Sequence, residues 1–283
     1  MAETSKVENG DDEEQVLELT SPPPGDVDRT VFDDPKSFNV KHPLYSSWTL
    51  WFDSPSTKGK SSGAPSTPST AVPATPSTAA QGWMDDIKKV VTLDSVEEFW
   101  GVHNNILPPS NLGQKANYYL FKEGIIPAWE DAANKDGGKW SIQLPRDKTR
   151  DKINQMWLHT MLAAIGETYD PALSEATQAG QIPPQSIITG VIVSARPTFY
   201  RLSIWTRLAA SPNSIPEPSA DAPPSEQGEV LMKRIEAIGR HFKTFVLGFA
   251  ENARLAGPMS TDVEFISHKD SERKPKAGKK WTL

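Results

Sequence analysis

An α+β fold, with a mostly antiparallel sheet and helices gathered on one face, is what this sequence predicts. Short β-favouring runs recur along the chain. Three stretches carry helical periodicity. The two kinds of segment are mixed without the regular strand–helix alternation of a parallel sheet.

The first run, Ser47-Trp48-Thr49-Leu50-Trp51-Phe52, is aromatic and β-favouring and predicts a strand. Ile87 to Leu93 predicts a second. A helix follows, with Asp94 or Ser95 as its cap and Glu97 and Glu98 in a capping-box position. Val96, Phe99, Trp100 and His103 share one side of it, and Pro108-Pro109 ends it. Asn117 to Phe121 predicts a third strand. The Gly137-Gly138 turn signal and Lys139 to Leu144 predict a fourth. Thr149 to Glu167 predicts one continuous helix with a broad apolar stripe from Ile153 to Ile165. Leu158 and Leu162 form a second stripe, either a wider core contact or a partner surface. After a proline-containing loop, Ile187–Val193 and Thr198–Trp205 predict two strands joined by a turn holding Arg196. Gly228 to Phe245 predicts the third helix, and Val263–His268 a last strand.

Two low-complexity inserts, 54–80 and 209–227, lack the residues to build a core. Residues 1–40 read as a disordered acidic tail and 41–283 as the folded domain. The tail from Lys269 onward is basic.

Composition narrows the function. The chain has 283 residues, no cysteine and a formal charge of −6. The missing thiols exclude a disulfide framework and fit a reducing compartment, the cytoplasm, with the nucleus also compatible. No apolar run approaches the roughly 20 residues that span a bilayer, so no membrane association is expected. Coating of nucleic acid through bulk charge is excluded, which leaves a local site. The five histidines (42, 103, 159, 241, 268) are scattered and form no metal-ligand pair. Phosphate-loop, dinucleotide and nucleophile-elbow motifs are absent, so neither a cofactor nor a catalytic residue is expected.

What remains is Pro127-Ala128-Trp129-Glu130-Asp131. An indole beside a carboxylate on a loop suits a flat, cationic ligand with N–H donors on one edge. Trp83 emerges from the first insert and can face the same rim. Arg196, Arg201 and Lys139 lie near the ends of neighbouring strands. Two indoles, a carboxylate and a basic cluster match a base, its donor edge and its phosphates. A glycosidase, with Glu130 and either Asp131 or Glu97 as its two carboxylates, is a distant alternative.

These residues resemble the eukaryotic mRNA cap-binding family, translation initiation factor 4E. The likeness runs from His42 to about His268. It rests on His42-Pro43-Leu44, Trp48 to Phe52, Val96-Glu97-Glu98-Phe99-Trp100, Leu120 to Asp131, Trp157-Leu158, Ile165-Gly166-Glu167 and Ile204-Trp205. It implies a curved eight-stranded antiparallel sheet with three helices on its convex face and a slot for 7-methylguanosine on the concave face. Trp83 and Trp129 would sandwich the base, Glu130 would accept its N–H groups and Trp205 would approach the methyl. Arg196, Arg201, Lys139 and Lys274 would hold the phosphates. The implied partners are capped mRNA, the scaffold initiation factor 4G, and repressors carrying a Tyr-x-x-x-x-Leu-hydrophobic helix. Such a helix would dock on His42, Pro43, Val96, Trp100, Leu158, His159 and Leu162. His159 stands where the family has glutamate. The expected protein is a monomeric translation factor. The competing reading is a regulator of the same family that uses the convex surface and binds cap weakly. The insert before Trp83 further predicts that Trp83 is mobile without ligand.

Overall fold

The computed structural model describes residues 28–55, 87–182, 184–210, 226–253, 262–272 and 281–283. Trp83, Lys274, residues 1–27 of the acidic tail and most of both inserts lie outside them. The chain divides into a unit ending at Lys41 and a unit from His42 to Leu283. In the first, residues 28–41 carry turns, with Asp33 Oδ2 accepting the Thr30 amide and hydroxyl at 2.8 Å.

The second unit is built on one curved, antiparallel, eight-stranded sheet in the order β2-β1-β3-β5-β6-β4-β7-β8. Its strands are β1 (Pro43–Asp53), β2 (Lys88–Ser95), β3 (Asn117–Lys122), β4 (Gly138–Pro145), β5 (Ile188–Ala195), β6 (Phe199–Thr206), β7 (Glu264–Ser267) and β8 (Trp281–Thr282). Among the described residues six α-helices accompany it: α1 (Val96–Asn105), α2 (Arg146–Thr149), α3 (Ile153–Ile165), α4 (Pro171–Gln178), α5 (Glu226–His241) and α6 (His268–Glu272).

Period-two alternation sorts the strands into two faces. Trp48 and Leu50, Tyr118 and Leu120, Val191 and Val193, Leu202 and Ile204, and Trp140 and Ile142 point to one side and form the main core. The helices cover that side. Phe99 comes from α1, Ile153, Trp157 and Met161 from α3, and Ile235 and Ile238 from α5. The Trp140 indole donates to Ile235 O at 2.9 Å, so the buried N–H is satisfied by the helix that covers it. Trp157 is core, and Leu158 and Leu162 pack against the same cluster while half-buried.

Several elements differ from expectation. The helix expected over Thr149–Glu167 is interrupted at residues 150–152, and Gly166 ends α3. The stretch read as a loop after it contains α4, begun by Pro171 in the first turn, where its missing N–H costs nothing. The third helix changes to a π turn over Phe242–Val246. The last strand stops at Ser267, and His268 opens α6. The basic tail adds the two-residue strand β8. The capping box is also altered. Ser95 makes no side-chain cap, and Glu98 accepts the Asp94 amide at 3.0 Å. Glu97 instead takes the His42 amide at 2.9 Å and His42 Nδ1 at 2.6 Å, tying the start of β1 to α1. Among the described residues no helix is long and apolar enough to cross a membrane.

Candidate functional site

The uncovered face of the sheet is built in rows across the strands. One row is Asp53–Asn117–Ser194–Arg201, the next Trp51–Tyr119–Ile192–Ser203, and the third Phe121–Gly190–Trp205–Lys139. The mouth of this face is a cavity of about 460 Å³. Of the eight residues expected to read base and phosphates, six line it: Trp129, Glu130, Trp205, Arg196, Arg201 and Lys139. Trp83 and Lys274 lie outside the described residues.

Trp129 and Glu130 reach the cavity on a loop fixed from behind. The Asp131 carboxylate accepts the Ile126 amide at 2.9 Å and the Ala133 amide at 2.7 Å. Buried Asn134 donates to Ile126 O at 3.0 Å and to Ala128 O at 2.8 Å. With its neighbours so tied, the Trp129 indole stands 40 % exposed, and Glu130 projects into solvent beside it. Among the described residues the Glu130 carboxylate has no protein partner. Asp131 is committed to backbone amides and Glu97 to His42, so the two-carboxylate arrangement of a glycosidase is not assembled here.

Trp205 forms the opposite wall. It meets Phe121 edge-on at 5.5 Å, and its other side lies 4.2 Å from the His268 ring, centroid to centroid. Burial, followed by the positive charge of Lys139, holds the His268 imidazole down to about 4, so it stays neutral at physiological pH. The cations crowd one end of the cavity. Burial, followed by Arg201, pushes the Lys139 ammonium below the usual lysine range. Burial and then Arg196 lower the Arg201 guanidinium in the same way. Like charges gathered in a half-buried site make an environment that favours an anion.

Arg196 begins the tight turn between β5 and β6, closed by its amide on Phe199 O at 2.8 Å. Arg146 clamps that turn: its Nη1 donates to Arg196 O and its Nη2 to Leu112 O, both at 3.1 Å. The Arg196 Nη1 donates to Asn117 Oδ1 at 3.0 Å.

Sequence reasoning missed Asn117, Tyr119, Ile192, Ser194 and Ser203 in the floor, and His268 behind Trp205. Their alternation with core residues was the available signal, but which face is open depends on where the helices settle.

On the helical side, the His42 carbonyl accepts the Val96 amide at 2.9 Å, which brings His42, Pro43 and Val96 together. Val96 and Trp100 are each 38 % exposed, and Trp100 stacks on His103 at 5.5 Å. Leu158, His159 and Leu162 lie half-buried along α3. The His159 ring lies 6.3 Å, centroid to centroid, from that of Phe245, an exposed aromatic at the end of the predicted third helix.

The family model "Eukaryotic initiation factor 4E" matches residues 43–282. The chain is 37 % identical over 261 residues to eukaryotic translation initiation factor 4E-1 of Schizosaccharomyces pombe, covering 92 % of this chain and 91 % of that protein. It is 38 % identical over 180 residues to eukaryotic translation initiation factor 4E of Candida albicans, covering 63 % and 71 %. Among solved structures, Ascaris suum eIF4E-3 in complex with the m2,2,7G cap matches with a TM-score of 0.54 and 24 % identity, over 81 % of this chain and 92 % of that one. C. elegans eIF4E-3, in complex with the 4E-binding protein Mextli and a cap analog, gives 0.54 and 24 %, over 85 % and 100 %. These structures share the fold, and the sequence relatives carry the lineage: the chain belongs to the eukaryotic initiation factor 4E family of translation initiation proteins.

Proposed function

We propose that the concave cavity binds the 7-methylguanosine 5′ cap of mRNA, and that the helical face recruits a scaffold factor of the 4G type or a repressor. The reading rests above all on one observation. An exposed indole, an unpaired carboxylate and a cluster of three cations line the same 460 Å³ cavity. Methylation at N7 makes guanine a cation. Stacking on Trp129, with Trp83 as the second face, then gains a cation–π contribution of about 2 kcal/mol when desolvated. That adds to about 1–3 kcal/mol for base stacking. Glu130 accepts the N1 and exocyclic N–H groups, and the Trp129 amide donates to the guanine oxygen. Arg196, Arg201 and Lys139 neutralise the phosphates, joined by Lys274 from the basic tail. Trp205 approaches the methyl group. Binding, with no chemical step, is the activity.

Titrating tryptophan fluorescence with 7-methyl-GTP tests this for the wild type, Trp129→Ala and Glu130→Gln. Removing the indole should weaken binding by about 10-fold or more. Removing the carboxylate charge should cost about 1.5–3 kcal/mol. Unchanged affinity in both variants would refute the reading.

A further inference from the structure

The strand register brings a buried carboxylate into the same row as Arg201. Asp53, on β1, pairs with Asn117 on β3, which pairs with Ser194 on β5, itself opposite Arg201 on β6. Asp53 is 4 % exposed, Asn117 5 % and Tyr119 7 %. The Asp53 carboxylate accepts the Asn117 amide and, at 3.3 Å, the Tyr119 hydroxyl. Asn117 Oδ1 in turn accepts Arg196 Nη1 at 3.0 Å. A carboxylate can only accept and a guanidinium can only donate, so a single orientation of the Asn117 amide satisfies both neighbours. Burial, followed by the Asp53 charge, pushes the Tyr119 phenol up, so Tyr119 remains a donor.

We propose that Asp53 is a positioning residue for the phosphate end of the cavity, acting through Asn117 on Arg196. The inference rests on the cap reading above. Asp53 fixes the amide, and the amide fixes one nitrogen of Arg196. The same Nη1 also donates to Ala195 O at 3.2 Å, and among the described residues Nε and Nη2 have no protein acceptor and are left for the ligand. A neutral amide, rather than a carboxylate, touches Arg196, so no direct ion pair competes with an incoming phosphate. An arginine already held in place loses less side-chain freedom on binding.

Two effects of Asp53 oppose each other. Through space, a buried anion one amide away from Arg196 weakens the attraction for phosphate, so its removal would strengthen binding. Through the amide, its removal loosens Arg196 and weakens binding. The hydrogen-bonded path acts on the atom that meets the ligand, and we expect it to dominate.

The test takes the ratio of affinity for 7-methyl-GTP to affinity for 7-methylguanosine nucleoside, which isolates the phosphate contribution. Asp53→Ala should reduce that ratio about fivefold, the scale of one hydrogen bond, and leave nucleoside affinity within about twofold. Asp53→Asn keeps an acceptor oxygen and should restore most of the loss. In an Arg196→Ala background Asp53→Ala should cause no further loss and only the opposite, through-space gain, because the relay acts through that one contact. Asn117→Ala breaks the same path one residue later and should reproduce the loss, whether or not the Asp53→Ala protein folds. A ratio that is unchanged or raised, or equal weakening of both ligands, overturns the relay. Wild-type protein that does not prefer 7-methyl-GTP to GTP overturns the cap reading itself, and the relay with it.

Discussion

A Cβ at Gly190 would lie 2.4 Å from the Phe121 ring, which stands edge-on to Trp205. The missing side chain is what leaves room for Phe121 against β5, behind the Trp205 ring that lines the cavity. Gly190→Ala should cost about 1–3 kcal/mol through overpacking and lower the midpoint of thermal unfolding by several degrees. An unchanged midpoint would show that Phe121 can move aside. Trp129, Glu130, Arg196 and Arg201 were legible because each is an unusual residue for its local setting: an indole and a carboxylate after proline, and cations in or beside a strand. Asp53, Asn117 and Tyr119 were not. Their significance comes from pairing across strands 64 and 66 positions apart in sequence. No local pattern encodes such pairing.

The clasp between β1 and α1 joins an amide and an imidazole to the Glu97 carboxylate. His42 holds that carboxyl at about 2, against 4.5 for an ordinary glutamate, by its side-chain hydrogen bond first and its amide second. A depressed acid favours the fold above its ordinary value, and the contribution disappears as pH falls through the depressed one. The stability difference between wild type and Glu97→Gln should therefore be full above pH 4.5 and close as pH falls toward 2. A difference independent of pH would mean that the clasp acts by packing alone. The same end of α1 carries half-exposed Val96 and Trp100. Trp100→Ala should weaken binding of a Tyr-x-x-x-x-Leu-hydrophobic peptide by about 2 kcal/mol or more, as buried aromatic anchors do. Affinity for 7-methyl-GTP should not change, because Trp100 is remote from the cavity lining. Equal loss at both sites would contradict separate surfaces. Helix and strand periodicity foretold the long elements. The break at 150–152, α4 and β8 were not foretold, because each is short and held by tertiary contacts that outweigh its own propensity.

The architecture as a whole follows from one division. Alternate residues of the central strands are apolar and gather α1, α3 and α5 on one side, while the other, concave side carries only a smaller buried cluster around Phe121 and Ile192 and opens into the cavity. The fold class was legible from the mixture of strands and helices. The strand order β2-β1-β3-β5-β6-β4-β7-β8 was not, because pairing partners far apart in sequence decide it. That order puts β3, β5, β6 and β4 side by side, and with them Asn117, Arg196, Arg201, Trp205 and Lys139. The separation of a cation-lined face from a helix-covered one fits the two proposed activities, reading a charged base with its phosphates and holding a partner helix, as independent ones. The first is the more sharply testable, because N7 methylation changes the charge of the base far more than its shape. The deciding measurement is the ratio of wild-type dissociation constants for GTP and 7-methyl-GTP. At least about a tenfold preference for the methylated nucleotide is predicted, since a desolvated cation–π contact alone is worth roughly 2 kcal/mol. Equal affinity for the two would contradict it.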